Sequence, residues 1–121
     1  MTTSMKAIQL HQIGGADLLR QEEVPIPIPT ADQVLVRVAA TAITPTELSW
    51  FPTFHTPDGS PRPLPIVLGH EFSGVVERVG PACRGLQAGE PVYGLNDWYR
   101  NGAQAEFCYP ARQYCAQAAH P

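Results

Sequence analysis

Proline and glycine interrupt this chain too often for a long helix to form. Its 121 residues include 13 prolines and 10 glycines. Proline lacks the N–H that an interior helical position needs, and glycine loses more conformational entropy than any other residue when it is fixed in a helix. Short runs rich in valine and isoleucine lie between these interruptions, and such runs are typical of strands. We therefore predict a mainly β fold with one or two short helices.

The composition is that of one folded domain, residues 1–121. Hydrophobic residues make up 44% and charged residues 16% of the chain, a composition typical of a folded protein. A length of 121 residues suffices for one modest core but not for two domains. The formal net charge is -3 and the basic residues are scattered, so neither nucleic acid nor an anionic membrane is expected as a partner. Because the sequence has no apolar run near about 18 residues and no N-terminal signal pattern, the expected location is cytoplasmic.

The pattern of apolar residues places the strands. In the clearest strand, residues 33–40, Val34, Val36 and Val38 fall on one face. The proline-rich residues 24–29 are predicted to run extended and to cap a barrel. Tyr93 is assigned to the core. Further strands are predicted at residues 5–10, 18–23, 66–68, 75–79, 90–94 and 103–109, loops at 51–62, 81–89 and 96–102, and no regular period is found in 111–121.

An imidazole and a carboxylate stand side by side in the middle of the chain, in Gly69-His70-Glu71. The apolar runs 66–68 and 75–79 flank them, and glycine permits a sharp reversal between two strands. A histidine held there is either a hydrogen-bonded structural residue or a group with a chemical role. Glu71 is expected to anchor a neighbouring loop.

A helix start is predicted after the strand at residues 33–40. Thr44 at the N-cap, Pro45 at the first helical position and Glu47 three residues after the cap form the pattern of a capping box. That local role is a complete structural explanation for Thr44 and Glu47.

The three cysteines do not form a recognisable framework. Cys83, Cys108 and Cys115 are an odd number and contain no Cys-x-x-Cys pair, so neither a set of disulfides nor a zinc knuckle is indicated. We predict reduced thiols in or near the core.

Several motifs, taken in order, resemble the N-terminal half of the medium-chain dehydrogenase/reductases. They are Ile-Thr-Pro-Thr-Glu at residues 43–47, Leu-Gly-His-Glu-Phe-Ser-Gly at 68–74, Gly-Glu-Pro-Val-Tyr-Gly at 89–94 and Gly-Ala-Gln-Ala-Glu-Phe at 102–107. The resemblance implies a GroES-like β-barrel, the catalytic domain, which in the family precedes a Rossmann domain that binds NAD(P). We expect these 121 residues to hold the first domain and not the second.

Two branches of that family differ at the start of the short helix. Zinc alcohol dehydrogenases carry a cysteine ligand where this chain has Thr44, and a neutral hydroxyl is a poor replacement for a thiolate. The chain is more similar to the zinc-free quinone oxidoreductase-like branch, so zinc is not expected. His70 and Glu71 match the zinc pattern, and they are the residues that would meet a metal if one were bound.

The resemblance implies hydride transfer from NADPH to a quinone or an enone, both small molecules. Thr46 and His70 are the implied catalytic residues, Pro45 and Thr46 would lie beside the cofactor, and the full-length protein is expected to be a homo-oligomer. Thr46 could equally be a solvated residue, and His70 a bridge between two loops. The implied substrate-binding residues are Thr44, Glu47, Trp50 and Trp98.

Two other functions stay open from the sequence. One is a zinc-dependent alcohol dehydrogenase, which would contain metal. The other is a stand-alone, non-catalytic β-barrel that acts as a binding or assembly module. A glycine-rich strand-turn-helix encoded beyond Pro121 would favour an enzyme over this module.

Overall fold

Two antiparallel sheets organise residues 3–118, which are the residues that the computed structural model describes. The smaller sheet has the strand order β2-β1-β4 and the larger one β7-β3-β5-β6-β8. The strands are β1 (Ser4–Leu10), β2 (Leu19–Pro25), β3 (Val34–Thr41), β4 (Ile66–Val67), β5 (Glu71–Val79), β6 (Pro91–Leu95), β7 (Phe107–Cys108) and β8 (Cys115–Gln117).

The helices are short, as the proline and glycine content requires. The described residues contain one α-helix, α1 (Phe51–Phe54), and three 3₁₀ turns at Ala16–Leu18, Glu47–Ser49 and Arg112–Tyr114. None of these helices is long and apolar enough to cross a membrane. The prediction of a mainly β fold with few short helices is confirmed.

Strand β3 separates two parts of the core, because its alternating side chains point to opposite faces. Val34 and Val36 are buried with Phe72 and Val92 in the larger apolar cluster. Leu35 points the other way and joins a second cluster, whose other buried members are Met5, Ala7, Val67 and Phe107. The alternation predicted for residues 33–40 is therefore confirmed.

The proline-rich segment covers only part of the core. Val24, which ends β2 together with Pro25, packs with Ile26 against the second cluster. The Ile26 amide donates a hydrogen bond to the Thr3 carbonyl, whereas Ile28 is exposed. Only the first half of the proline-rich segment therefore covers the core as predicted.

Several local predictions were wrong. Residues 51–62 are not a plain exposed loop, because α1 forms at their start and buries Thr53. The strand predicted at 103–109 is reduced to β7, since Ala105 makes only an isolated bridge to Ala7. Tyr93 is 52% exposed, because it alternates with the buried Val92 and so faces outward.

The C-terminal part forms regular structure that the sequence pattern did not indicate. The turn Arg112–Tyr114 leads into β8, which pairs with β6 so that Cys115 lies opposite Gly94. Residues 119–121 lie outside the described range. The prediction for the cysteines is confirmed, since Cys83, Cys108 and Cys115 are free and buried.

Candidate functional site

Glu47 does not take part in a capping box. The Glu47 amide donates to the Thr44 carbonyl (3.0 Å), and the turn Glu47–Ser49 follows Thr46 with no side-chain cap. The Glu47 carboxylate turns inward instead, where it is 8% exposed and its Oε2 accepts a hydrogen bond from the Gly69 amide at 2.9 Å. The predicted cap was wrong because a buried amide 22 positions away binds the same carboxylate.

The main chain at Gly69 and His70 is held by several further hydrogen bonds. The side-chain amide of Asn96 donates to the Gly69 carbonyl at 3.0 Å, and the Asn96 backbone N–H donates to the His70 carbonyl. Gly69 has a φ of 99°, a left-handed conformation that favours glycine. Asn96 is buried, and sequence reasoning did not identify it, although a polar residue at the end of β6 is a signal that could have.

The His70 imidazole lies between two carboxylates without a hydrogen bond to either. Its Nδ1 is 3.9 Å from Glu47 Oε1, and its Nε2 is 3.5 Å from Glu71 Oε1. Within residues 3–118, Nδ1 is buried without a hydrogen-bond partner. The bonds that join the loops here come from Glu47 and Asn96, so the imidazole itself is not what bridges them.

Two tryptophans contact His70, and one of them, Trp50, connects it to Thr46. The rings of Trp50 and Trp98 are stacked with centroids 5.3 Å apart, and each meets His70 edge-on, at 4.9 Å and 5.6 Å. The Trp50 indole Nε1–H donates to Thr46 Oγ1 at 3.1 Å. We call Trp50, His70 and Trp98 the aromatic cluster. The structure thus brings four of the predicted site residues into one contiguous group.

Arg62 lies beside this group. It lines a cavity together with Glu47, Trp50 and His70, and its Nη1 donates to the carbonyls of Pro52 and Thr53 at 3.0 and 3.1 Å. Burial lowers the pKa of Arg62, and nearby acidic groups act in the opposite direction. Arg62 was missed because nothing in the residues around it marks a distant contact.

The remaining predicted residues lie at the surface beside the group. Pro45 and Thr46 are exposed, Thr44 is half-buried, and Ile43 next to them is 80% exposed. Glu71 is exposed at the start of β5, and Thr41 Oγ1 donates to its carbonyl at 2.8 Å. Its carboxylate makes no hydrogen bond among the described residues, so the loop is anchored through its backbone.

Residues 3–118 do not by themselves provide a complete ligand set for a catalytic zinc ion. Such a site uses three protein ligands drawn from cysteine, histidine and carboxylates. In the part of the chain that the structure describes, no three of these side chains cluster closely enough to hold a metal. Thr44 offers only a neutral hydroxyl, which leaves His70 and Glu71.

Residues 30–119 match the family described as the alcohol dehydrogenase GroES-like domain, and the chain belongs to this family. Its relatives and structural neighbours are medium-chain dehydrogenase/reductases, quinone oxidoreductases among them. The family and the GroES-like fold predicted from the motifs are confirmed.

Individual relatives cover most of this chain but only a part of their own length. Geraniol dehydrogenase from Castellaniella defragrans is 45% identical over 89 residues, which are 74% of this chain and 22% of the relative. The chloroplastic NADPH-dependent alkenal/one oxidoreductase of Arabidopsis thaliana is 37% identical over 91 residues, 74% of this chain and 23% of the relative. The chain therefore spans about a quarter of the length of these curated relatives.

A solved structure shows the same fold. The quinone oxidoreductase from Coxiella burnetii superposes with a TM-score of 0.80 at 27% sequence identity. The superposition covers 94% of this chain and 37% of that one. The arrangement of sheets described above is therefore shared with a member of the superfamily.

Proposed function

We propose that this chain supplies the catalytic domain of an oxidoreductase that transfers hydride from NADPH to an enone or a quinone. The observation that carries the proposal is the meeting of the Thr46 hydroxyl with the aromatic cluster, although these residues come from three separate segments. The names of two similar proteins, an alkenal/one oxidoreductase and a quinone oxidoreductase, support this substrate class.

The stacked indoles suit a flat, conjugated acceptor. Trp98 is half exposed, and an aromatic face favours offset stacking with another planar π-system. Enones and quinones are planar and carry one or two carbonyl oxygens. In this proposal Trp50 and Trp98 form the apolar wall of the acceptor site, while the buried Glu47 holds the Gly69 amide and does not contact the substrate.

The cofactor would lie beside residues 43–46. Ile43, Pro45 and Thr46 are exposed next to the aromatic cluster, and an open surface of this kind fits one side of a nicotinamide ring. NADPH supplies the hydride when it is bound. The residues of this chain then have two tasks, which are to orient the acceptor and to stabilise the charge that develops on it.

The electron balance defines what Thr46 and His70 must do. In the enone reaction a C–H bond forms at the β-carbon, the C=C π pair moves onto the carbonyl oxygen as an enolate, and a proton then completes the saturated ketone. Thr46 Oγ1 can donate a hydrogen bond to that oxygen, and His70 can deliver the proton. NADPH is oxidised to NADP⁺, and the acceptor gains two electrons and two hydrogens.

Crotonaldehyde tests the proposal, because its two reducible bonds give different products. The whole protein should oxidise NADPH with crotonaldehyde and form butanal by reduction of the C=C bond, and it should also reduce naphthoquinone. Formation of crotyl alcohol together with stoichiometric bound zinc would support the alcohol dehydrogenase alternative instead. No NADPH oxidation with any of these acceptors would support a non-catalytic module.

Substitution of Thr46 tests its role. We expect Thr46→Val to lower kcat about 10- to 100-fold with a smaller change in KM, since it removes a hydrogen bond to the developing charge. Thr30→Val is the matched control, because it makes the same exchange in an exposed turn before β3 and should leave kcat unchanged. Equal rates for wild type and Thr46→Val would contradict the assignment.

A further inference from the structure

We propose that Trp50 is a positioning residue, which directs the hydroxyl proton of Thr46 toward the acceptor; this inference rests on the proposed function. The indole nitrogen of Trp50 lies 3.1 Å from Thr46 Oγ1. A tryptophan in this place would then do more than form a wall, because its N–H group determines how the neighbouring hydroxyl can be used.

The donor and acceptor chemistry of the pair fixes the direction of the bond. Indole N–H only donates, whereas a hydroxyl donates one hydrogen bond and can accept two. Thr46 Oγ1 must therefore accept from Trp50. Among residues 3–118, Thr46 Oγ1 donates no hydrogen bond, and Thr46 is exposed. Its proton is thus free to point away from the indole into the open site.

The indole cannot easily turn away from this position. Trp98 stacks on one side of the ring, and His70 meets it edge-on. The turn that carries both partners is closed by the Ser49 side chain, whose Oγ donates to the Thr46 carbonyl at 2.7 Å, and by the Trp50 amide, which donates to the Glu47 carbonyl at 3.2 Å. These hydrogen bonds therefore fix the position of Trp50 relative to Thr46 at both ends of the turn.

The hydrogen bond from the Trp50 indole also makes the Thr46 hydroxyl a stronger hydrogen-bond donor. Hydrogen bonds in a chain polarise one another, so a hydroxyl that accepts from an N–H donates more strongly to a third group. In the proposed reaction that third group is the enolate oxygen. Loss of the indole N–H should therefore reduce kcat more than KM, since the benefit is largest when charge has developed.

Kinetics of Trp50→Phe test this. Phenylalanine keeps an aromatic ring, but it lacks the indole N–H and has a smaller aromatic surface. With crotonaldehyde and NADPH we expect kcat to fall roughly three- to tenfold, the range that corresponds to loss of one neutral hydrogen bond. In the Thr46→Val background, Trp50→Phe should cause less than a twofold further loss, since the two residues act as one unit. A merely structural effect of Trp50 would be additive.

The hydrogen bond can be measured without any turnover. This chain contributes two tryptophans, and their indole N–H signals in the ¹H–¹⁵N spectrum of the protein can each be assigned by loss of one signal, in Trp50→Phe or in Trp98→Phe. Thr46→Val should shift the Trp50 signal and accelerate its exchange with solvent, while the Trp98 signal serves as the internal reference. A Trp50 signal that does not respond overturns the positioning role, even if Trp50→Phe does not fold.

The outcomes separate this inference from the proposed function. If the wild type does not oxidise NADPH with enones or quinones, the proposed function fails and the positioning role fails with it. If the wild type is active and Trp50→Phe is equally fast, only the positioning role is overturned. A loss of kcat in Trp50→Phe that disappears in the Thr46→Val background, together with the shifted indole signal, supports both.

Discussion

Glu47 is a buried carboxylate that serves the backbone of a distant loop. One oxygen accepts the Gly69 N–H, and the other lies 3.9 Å from His70 Nδ1. A buried amide without a partner costs more free energy than a satisfied hydrogen bond contributes. The main role of the Glu47 side chain is therefore to provide a hydrogen-bond acceptor for the Gly69 amide and so to fix the backbone before His70.

Removal of this acceptor should destabilise the fold. We expect Glu47→Ala to lower the free energy of unfolding by about 1–3 kcal/mol, since the Gly69 amide loses its partner inside the protein. Glu47→Gln keeps an oxygen acceptor and should lose less than half as much. Urea denaturation measures both.

Glu77→Ala is the matched control for this prediction. The Glu77 carboxylate pairs with Arg37 on the surface, where an ion pair contributes only about 0.2–1 kcal/mol. If Glu77→Ala were as destabilising as Glu47→Ala, the importance of the Gly69 contact would be refuted.

For single residues, the sequence predicted which side chains form the site better than it predicted their hydrogen-bond partners. Thr46, His70, Trp50 and Trp98 were predicted and lie together. The capping box assigned to Glu47 failed, because a local pattern cannot show that a buried amide in another segment competes for the same carboxylate. Asn96 and Arg62 were missed for the same reason, since their hydrogen bonds depend on how distant segments approach.

Strands β6 and β8 meet at a close approach that only glycine permits. A Cβ atom on Gly94 would lie 1.8 Å from the Tyr114 carbonyl oxygen. Gly94 is also the residue opposite Cys115 in the pairing of the two strands. The edge of the larger sheet thus depends on the absence of a side chain at this position.

Gly94→Ala should displace β8 from the sheet. Overpacking of this kind typically costs about 1–3 kcal/mol, and we expect a loss of stability in this range or above it. Faster amide exchange at Ala116 and at Ala118, whose N–H donates to the Pro91 carbonyl at 2.9 Å, would show the displacement directly. Gly15→Ala, where a new Cβ would meet only the flexible Asp17 side chain, should have little effect, and similar losses for both variants would contradict the explanation.

The short helix α1 depends on Arg62 in a comparable way. Arg62 Nη1 donates to two carbonyls of that helix, and hydrogen bonds from a charged group are stronger than neutral ones. We expect Arg62→Gln to destabilise the protein by about 1–2 kcal/mol in urea denaturation and to alter the fluorescence of the adjacent Trp50.

Arg84→Gln is the control for Arg62. Arg84 also donates to two carbonyls, but at 3.4 and 3.2 Å in an exposed loop. We expect its loss to change stability by less than about 0.5 kcal/mol. An Arg84 variant as unstable as the Arg62 variant would show that the contact with α1 is not special.

Elements with a clear period were predictable, and elements defined by their partners were not. The alternating valines of β3 determined which face is buried. Strand β8 has only three residues, too few for a period, and it exists because β6 offers an edge to pair with. The assignment of Tyr93 to the core failed because the alternation in β6 was not followed outward from Val92.

Across the whole molecule, three free cysteines lie in the same apolar cluster as Val34 and Phe72. Burial raises the pKa of Cys115 from 9.0 to about 11, and it raises the pKa of Cys108 further still. The thiols of Cys108 and Cys115 in the folded protein therefore keep their protons at pH values where the unfolded chain has released them.

Stability should fall as the pH rises above about 9. Between the unfolded pKa of 9.0 and the folded pKa of about 11 for Cys115, the unfolded state binds fewer protons, so each pH unit costs about 1.4 kcal/mol for each such thiol. The contribution is fully present below pH 9. Urea denaturation at a series of pH values measures the slope.

Cys115→Ala isolates this contribution from other groups that titrate in the alkaline range. Its stability should be lower at neutral pH, because a small cavity is left, but should depend less steeply on pH above 9. A slope identical to that of the wild type would show that the Cys115 thiol does not cause the effect.

The hydrogen bonds around His70 have a consequence for how such a protein can diverge. Its carbonyl accepts from Asn96, the amide before it is held by Glu47, and the carbonyl after it accepts from Thr41. None of these bonds uses the imidazole. The hydrogen bonds that hold the main chain at position 70 would therefore remain if the histidine side chain were replaced by another. A new reactivity can arise there by one codon change, and a designer who wishes to graft a different catalytic group onto this scaffold should begin at that position.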